Sequence, residues 1–500
     1  MKSIGEITSG IGTLAVAGDS GAIVESLTCD SRAAGAGACF VAMRGTRSDG
    51  HDYIAQAVAQ GVSAVVCERM PESRDPQVCY VQVADCNEAL GELASAFYDH
   101  PSRELKLVGV TGTNGKTTIA TLLYDLFRAA GYEAGLISTV VYRIGSRTVE
   151  STHTTPDAIR LNAMMREMVD CGCEYCFMEC SSHAIVQRRI GGLRFAGGLF
   201  TNLTHDHLDY HKTFAEYLRA KKLFFDTLPS EAFAAVNVDD RNGRVMIQNT
   251  RAAVHTLSLR SPADFRCKIV EMQADGMLLR IDGTEVWVKL TGRFNASNLL
   301  TVYAAGVLLG MPRTEVLTIM STLAPVSGRF ECIRADDGTT AIVDYAHTPD
   351  ALENVLSTIE EIRGKSRALT VVCGCGGDRD RTKRPEMAAI AVRHATTAIF
   401  TSDNPRSEDP NAILAEMTAG LGPEARFISI ADRSEAIRTA VMLSAAGDII
   451  LIAGKGHENY QIVGTEKRHF DDREEVRRRF VELGRLKDNF NVPSLRNVSE

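Results

Sequence analysis

No apolar run in this 500-residue sequence is long enough to cross a bilayer, and Met1 to Gly10 lacks the charged and apolar regions of a secretory signal. The expectation is a cytoplasmic protein with no membrane span. An excess of positive charge is also missing, since 55 Lys and Arg against 63 Asp and Glu leave a formal net charge of -8. Phosphate backbones are held by clustered Lys and Arg, so small-molecule partners are expected and nucleic acid is not. Nor are there zinc knuckles. The 13 cysteines, an odd number, include the clusters Cys171, Cys173, Cys176 and Cys373, Cys375, but no two C-x-x-C pairs at zinc-finger spacing. In a reducing compartment they read as small buried apolar residues, without disulfides.

What is present is the composition of an ordinary globular protein, 45% hydrophobic and 24% charged. At about 150 residues per core, the length predicts three domains. Cys39 to Met43, Asp52 to Gln60 and Ser63 to Glu68 read as strand, helix and strand of a small α/β domain. The helical stretch Asn87 to Tyr98 ends at His100-Pro101-Ser102, where proline opposes continuation, so residues 1-102 form the first expected domain. Leu105 to Thr111 then leads through a glycine-containing loop into a helix over Thr117 to Ala130. Ile119, Leu122, Leu123, Leu126, Phe127 and Ala130 share one face there, and Gly131 is placed as the cap. A boundary near Pro325 to Gly328, after the helical Asn298 to Leu309, gives domains over 103-326 and 327-500. In the last, apolar runs at Thr340 to Val343, Leu369 to Cys373, Ala398 to Phe400, Phe427 to Ile430 and Ile449 to Ile452 alternate with helical segments, which predicts a parallel, doubly wound sheet. Asp344 to Pro349, Gly374 to Asp380, Asp403 to Arg406 and Gly454 to Glu458 directly follow four of these runs. Ligands bind at the carboxyl ends of such strands, so the four loops are expected to share one crevice.

Gly112-Thr113-Asn114-Gly115-Lys116-Thr117-Thr118 lies between strand and helix, where backbone N-H groups and a helix N-terminus cradle phosphate. Lys116 would neutralise phosphate charge, and the Thr117 hydroxyl suits a Mg2+ bridging the phosphates. The general P-loop pattern asks for glycine where Val110 stands, so the match is incomplete and a purely structural turn is the alternative.

Thr111 to Thr118 resembles the nucleotide loop of the Mur ligases and their folylpolyglutamate synthase relatives. Asp30-Ser31-Arg32, Thr154-Thr155-Pro156, Glu179 to His183, His205 to His211, Asn295 to Leu299, Gly328 to Glu331 and Asp344 to Pro349 extend the resemblance in order along the chain. It implies an α/β protein with a small N-terminal domain, a central P-loop ATPase-like domain and a C-terminal Rossmann-like domain. The implied activity is an ATP- and Mg2+-dependent amide ligase, forming an acyl phosphate that an amine attacks. Lys116, Glu179, His207 and Lys221 are the implied catalytic residues. Thr117 and Glu179 would serve one Mg2+ and His207 a second, with Lys221 carrying CO2 as a carbamate in support. Without the resemblance, Lys221 reads as part of a solvated helix face, and the adjacent Lys222 leaves the register ambiguous.

Asn295, Asn298, Arg329, Asp344 and His347 resemble further nucleotide contacts, so a closing third domain is expected; the two asparagines suit a helix N-cap as well. Cys29, Ser31, Thr46, Arg47 and Ser48 resemble contacts to the UDP end of a substrate, and Thr154, Thr155, Ser181, Gln187 and Arg189 contacts to its muramoyl peptide. That substrate would be UDP-N-acetylmuramoyl-L-alanyl-D-glutamate. Asp403-Asn404-Pro405-Arg406 resembles the signature of members that add meso-diaminopimelate, although one arginine leaves the stereoisomer open. Diaminopimelate differs from lysine by a distal carboxylate, which the planar fork of Arg406 suits. Arg379, Gly454 and Glu458 match other contacts to the amino acid, with Arg381 and Arg384 as rivals to Arg379. A monomer is expected. A folylpolyglutamate synthase-like ligase and a nucleotide-hydrolysing P-loop switch are the alternatives.

Overall fold

The computed structural model describes residues 1–45, 48–204, 206, 208–364 and 367–487. They gather into two compact units. The first comprises Met1–Leu203, Ala215–Arg266 and Ser297–Met320; the second comprises Thr204–Phe214, Cys267–Ala296 and the chain from Ser321 onward.

Besides a two-stranded pairing of Lys2–Ser3 with Ile23–Val24, the first unit holds two larger sheets. The N-terminal one has the strand order Thr13–Ala17, Cys79–Val83, Ala64–Cys67, Ala38–Val41, Ser26–Thr28, parallel except for its first strand. Strand periodicity separates its two faces. Cys39 and Val41 pack with Leu90 and Leu93 of the helix Cys86–Phe97 on one side, while Phe40 packs with Ile54 and Ala57 of the helix Ile54–Ala59 on the other. The second sheet sets six strands in parallel: Ala134–Ile137, Tyr175–Glu179, Lys106–Thr111, Gly197–Phe200, Phe233–Asn237 and Ala253–Ser258. A hairpin, Val141–Ile144 with Arg147–Glu150, extends one edge antiparallel. Tyr175–Glu179 and Lys106–Thr111 are wholly buried apart from Lys106, which is why they read as continuous apolar runs rather than alternating ones.

The second unit carries an antiparallel meander, Phe265–Gln273 (its part from Cys267), Gly276–Ile281 and Thr284–Val288, and a six-stranded sheet. The order of that sheet is Glu331–Arg334, Thr340–Asp344, Ile449–Ala453, Leu369–Cys373, Thr397–Phe400, Phe427–Ser429. Five strands are parallel as expected; Glu331–Arg334 adds an antiparallel edge that its mostly exposed side chains had hidden from pattern reading. Helices Pro349–Arg363, Lys383–His394 and Pro410–Thr418 cover one face, and Arg433–Leu443 and Asp472–Glu482 cover the other. The last crossover returns Ile449–Ala453 between the first two parallel strands in sequence, Thr340–Asp344 and Leu369–Cys373. Their carboxyl ends therefore flank a topological switch point, where such sheets bind ligands.

Candidate active site

In the first unit the phosphate loop leaves the buried strand Lys106–Thr111 and enters the helix Lys116–Ala129. Val110 lies inside the strand, so the glycine of the general pattern has no place there; the turn is made by Gly112 and Gly115, at φ 152 and 90. A Cβ at Gly112 would meet Thr201 Oγ1 at 1.8 Å, and one at Gly115 would meet Asn298 Oδ1 at 2.5 Å, so both positions require glycine. The Thr113 and Asn114 N-H groups donate to Asn202, to its carbonyl and to Oδ1, each at 2.9 Å. Thr201 Oγ1 donates to the Asn114 carbonyl at 2.6 Å. Thr201 and Asn202 end the neighbouring strand and brace the loop, a part no local sequence signal assigns to them. Lys116 Nζ folds over the loop onto the Gly112 and Thr113 carbonyls, at 3.0 and 2.8 Å. Thr117 and Thr118 are buried.

Glu179 stands in register with Val110 on the adjacent strand, at the same carboxyl edge as the loop, and is 1% exposed. Its Oε1 accepts from the Thr139 N-H at 2.7 Å. Of the two adjacent lysines, Lys222 pairs with Asp226 at 2.6 Å, whereas Lys221 is 1% exposed. Lys221 Nζ donates to the Gly112 carbonyl at 2.8 Å and lies 4.7 Å from the Tyr217 ring centre. The helix Phe214–Asp226 thus presents Lys221 inward to the loop, and the solvated-face reading is corrected. His207, like Thr46 and Arg47, lies outside the described residues.

A second network joins the peptide-side positions. Thr155 Oγ1 donates to the Glu179 carbonyl at 2.7 Å and accepts from the Ser181 N-H at 3.2 Å. Ser181 Oγ caps the helix Ser182–Val186. Arg189 donates to the Thr155 carbonyl at 2.9 Å and through Nε and Nη2 to Gln187 Oε1, at 3.0 and 2.6 Å. Thr154 Oγ1 accepts from Thr139 Oγ1 at 3.0 Å, so Thr139 touches both Thr154 and Glu179. Cys29 and Ser31 belong to the N-terminal sheet's edge. Burial pushes the Cys29 thiol up to about 12, and Cys29 packs against the core that also holds Ala158. Ser48 is exposed and accepts at its carbonyl from the Gly45 N-H at 3.0 Å.

In the second unit the Phe330 N-H donates to Asp344 at 2.7 Å, and Arg329 covers the Tyr345 ring at 4.6 Å. Burial raises the Asp344 carboxyl to about 6 against the pull of Arg329, and burial, with Lys383 nearby, lowers the His347 imidazole to about 4. Asn295 Nδ2 donates back to the Thr291 carbonyl at 2.8 Å. Because the helix Arg293–Leu308 starts before both asparagines, neither is its N-cap.

The four expected loops do meet at the switch point. Asn404 Nδ2 donates to Glu458 Oε2 at 2.9 Å, and a Cβ on Gly454, at φ 119, would lie 2.7 Å from Asp403 Oδ2. The Gly454 N-H donates to the Asp344 carbonyl at 3.0 Å. Arg406 follows Pro405 in the left-handed region, at φ 51, with Nη1 on the Gly377 carbonyl at 2.8 Å. Its backbone is clamped by Ile462 and Gly464. Arg381 and Arg384 are committed to Glu408 and Glu416, whereas Arg379 is exposed and donates to the Asp378 carbonyl. Burial and the neighbouring Asp403 raise the Glu458 carboxyl. Sequence reasoning passed over Tyr345, Lys455 and Tyr460, which line the same pocket; Lys455 stood inside an expected loop without being singled out.

A phosphate-loop sheet and a doubly wound sheet with charged loops at its switch point fit a nucleotide-dependent ligase, and family comparison gives that class. Residues 23–98 match the Mur ligase family catalytic domain, 110–306 the Mur ligase middle domain, and 328–456 the Mur ligase glutamate ligase domain. The chain belongs to the Mur ligase family and has its three-domain architecture. It is 56% identical to the UDP-N-acetylmuramoyl-L-alanyl-D-glutamate--2,6-diaminopimelate ligase of Phocaeicola vulgatus, over 94% of this chain and 98% of that one. The ligase of the same name from Bacteroides thetaiotaomicron is 53% identical, over 95% and 99%. A solved structure bearing that name aligns with a TM-score of 0.69 at 31% identity, covering 97% of this chain and all of its own. A folylpolyglutamate synthase structure of Mycobacterium tuberculosis, 16% identical with a TM-score of 0.57 over 73% of this chain and 91% of its own, shares the fold alone. No helix among the described residues is long and apolar enough to cross a membrane.

Proposed function

We propose that this chain uses ATP to join diaminopimelate to the D-glutamate carboxylate of UDP-N-acetylmuramoyl-L-alanyl-D-glutamate, in peptidoglycan synthesis. The observation that carries it is the pocket where Asp403, Asn404, Arg406 and Glu458 gather opposite charges at one crevice. In the first step the glutamate carboxylate attacks the γ-phosphorus and ADP leaves. In the second the amine attacks the acyl carbon, phosphate leaves and the amine nitrogen loses a proton. Phosphoryl transfer is catalysed mainly by positioning and charge neutralisation. The loop Gly112 to Thr118 supplies the cradle, Lys116 swings from its own carbonyls to the phosphates, and Asn295, Asn298, Arg329, Asp344 and His347 are further nucleotide contacts. Thr155, Ser181, Gln187 and Arg189, already one network, orient the peptide together with Thr154. Cys29, Ser31, Thr46, Arg47 and Ser48 take the UDP end. Residues 1-102, 103-326 and 327-500 thereby divide into UDP, ATP and amino-acid segments. The meso isomer is the amine proposed.

Mg2+ takes oxygen ligands and keeps few protein ones, binding through one or two carboxylates plus phosphates. The Thr117 hydroxyl and the buried Glu179 carboxylate fit that demand, and no cluster of three acidic, His or Cys side chains occurs among the described residues. When bound, the ion would neutralise charge developing on the phosphates. His207 is proposed as a ligand of a second ion. Lys221 is proposed to add its uncharged amine to CO2, losing one proton and becoming an anionic carbamate; its burial with Nζ beside the Gly112 carbonyl, at the phosphate loop, supports this. The protein is read as a cytoplasmic monomer. The test is ADP release by the purified chain with ATP and Mg2+: release requiring both the muramoyl dipeptide and diaminopimelate supports the reading. Equal release without them assigns a nucleotide hydrolase, and release driven by folate and glutamate assigns the synthase.

A further inference from the structure

Lys455 has no exposed surface. Its Nζ lies 3.1 Å from Asn404 Oδ1, 3.3 Å from Glu458 Oε2, 3.8 Å from Asp403 Oδ1 and 5.6 Å from the Tyr460 ring centre. A charge removed from water is tolerated only when paired and hydrogen-bonded, so these groups set where the ammonium sits. Asn404 is held at both ends as a result. Its Oδ1 accepts from Lys455 and from the Ile462 N-H at 3.0 Å, which leaves its NH2 to face Glu458. An amide whose oxygen is fixed by two donors cannot flip without losing both.

We propose that Lys455 is a positioning residue of the amine pocket: it fixes the Asn404 amide and cancels one of the two carboxylate charges of Asp403 and Glu458, setting the pocket to receive one ammonium group. This rests on the reading of that pocket as the diamino-acid site. Two unopposed carboxylates would hold a surplus of negative charge beside Arg406. With Lys455 between them, one net negative charge and one guanidinium remain, which matches the ammonium and the carboxylate at one end of diaminopimelate.

The groups facing Glu458 are Lys455, Asp403, Asn404, the Tyr345 hydroxyl at 3.5 Å and Tyr460. Arg329 acts on Tyr345, and Arg406 and Arg379 act on Tyr460. Burial and Asp403 raise the Glu458 carboxyl, while Lys455 and Asn404 pull it down. Removing the ammonium leaves only the raising influences and the amide. Glu458 then protonates at a higher pH, and the acid limb of kcat/KM for the diamino acid moves up with it.

The experiment compares the full wild-type chain with Lys455→Met and Lys455→Gln, measuring kcat and KM for diaminopimelate across pH and unfolding of each protein. The expected result is a KM raised about tenfold or more with kcat changed by less than about threefold, and an acid limb shifted upward by about one pH unit. Folded variants with wild-type KM and an unmoved limb overturn the proposal. So does a uniform loss of kcat that tracks lost stability, or failure of both variants to fold, since either assigns Lys455 to the fold alone. A wild-type chain that ignores diaminopimelate contradicts the pocket reading itself, and this proposal with it.

Discussion

The proposed role of Arg406 in selecting the amine rests on its geometry. Held in the left-handed region with its backbone tied to Ile462 and Gly464, it keeps a fixed guanidinium at the crevice. Arg406→Ala is expected to cost about 2 to 5 kcal/mol in transition-state binding of diaminopimelate and far less with lysine, read as the change in kcat/KM for each amine. Lys221 makes a different prediction. If it carries a carbamate, Lys221→Ala loses activity and regains part of it when a small carboxylate such as acetate or formate is added; a lysine that only donates to Gly112 would show no such rescue. Asp344 carries a prediction about pH. Its carboxyl is raised from 3.8 to about 6, so its contribution to stability is complete below the unfolded value and is lost as pH rises through about 6. Wild type is expected to lose stability relative to Asp344→Asn over that window, by on the order of 3 kcal/mol, in urea melts at stepped pH. A constant offset between the two proteins would place the raised carboxyl elsewhere.

At the level of elements, the strands were legible because full burial leaves little but Val, Ile, Leu, Ala and Cys in them. Leu369–Cys373 is wholly buried and stood out as an apolar run interrupted only by Thr370. The loops that follow were legible by the rule that binding sits past the carboxyl ends. What pins those loops was not legible, because it is long-range. Arg433 and Asp472, 39 residues apart, are both without exposed surface and pair through two bonds of 2.7 Å. Arg433 also donates to the Ala453 carbonyl at 3.1 Å, directly before Gly454, and to the Ser402 carbonyl at 3.4 Å, directly before Asp403. Nothing local in the sequence distinguishes Arg433 from the surface arginines around it. Asp472→Asn leaves a buried guanidinium without its charge partner, so a loss of about 3 to 5 kcal/mol is expected in denaturant unfolding. A loss below 1 kcal/mol, on the order of a surface pair, would mean the pair does not fasten the two strand ends. The same limit explains Thr201, Asn202 and Thr139, whose roles come from strands adjacent in space and not in sequence.

For the whole molecule, the ordered motifs told more than any one of them, since a phosphate loop alone is equally at home in a nucleotide switch. The N-cap reading of Asn295 and Asn298 failed because the helix already begins at Arg293, while the apolar pattern reads as helical only from Asn298 and so places its start several residues late. The proposed function has the second unit's pocket select a diamino acid with a distal carboxylate and couples its capture to ATP cleavage. The most direct measurement offers diaminopimelate and lysine together, at equal concentration, to the purified chain with ATP, Mg2+ and UDP-N-acetylmuramoyl-L-alanyl-D-glutamate, and counts both amide products by mass against ADP formed. One ADP per amide is expected, with diaminopimelate product in excess by a factor of about 30 or more, as a guanidinium left without its carboxylate partner at a cost of about 2 kcal/mol requires. Equal products, or a lysine product in excess, would contradict it.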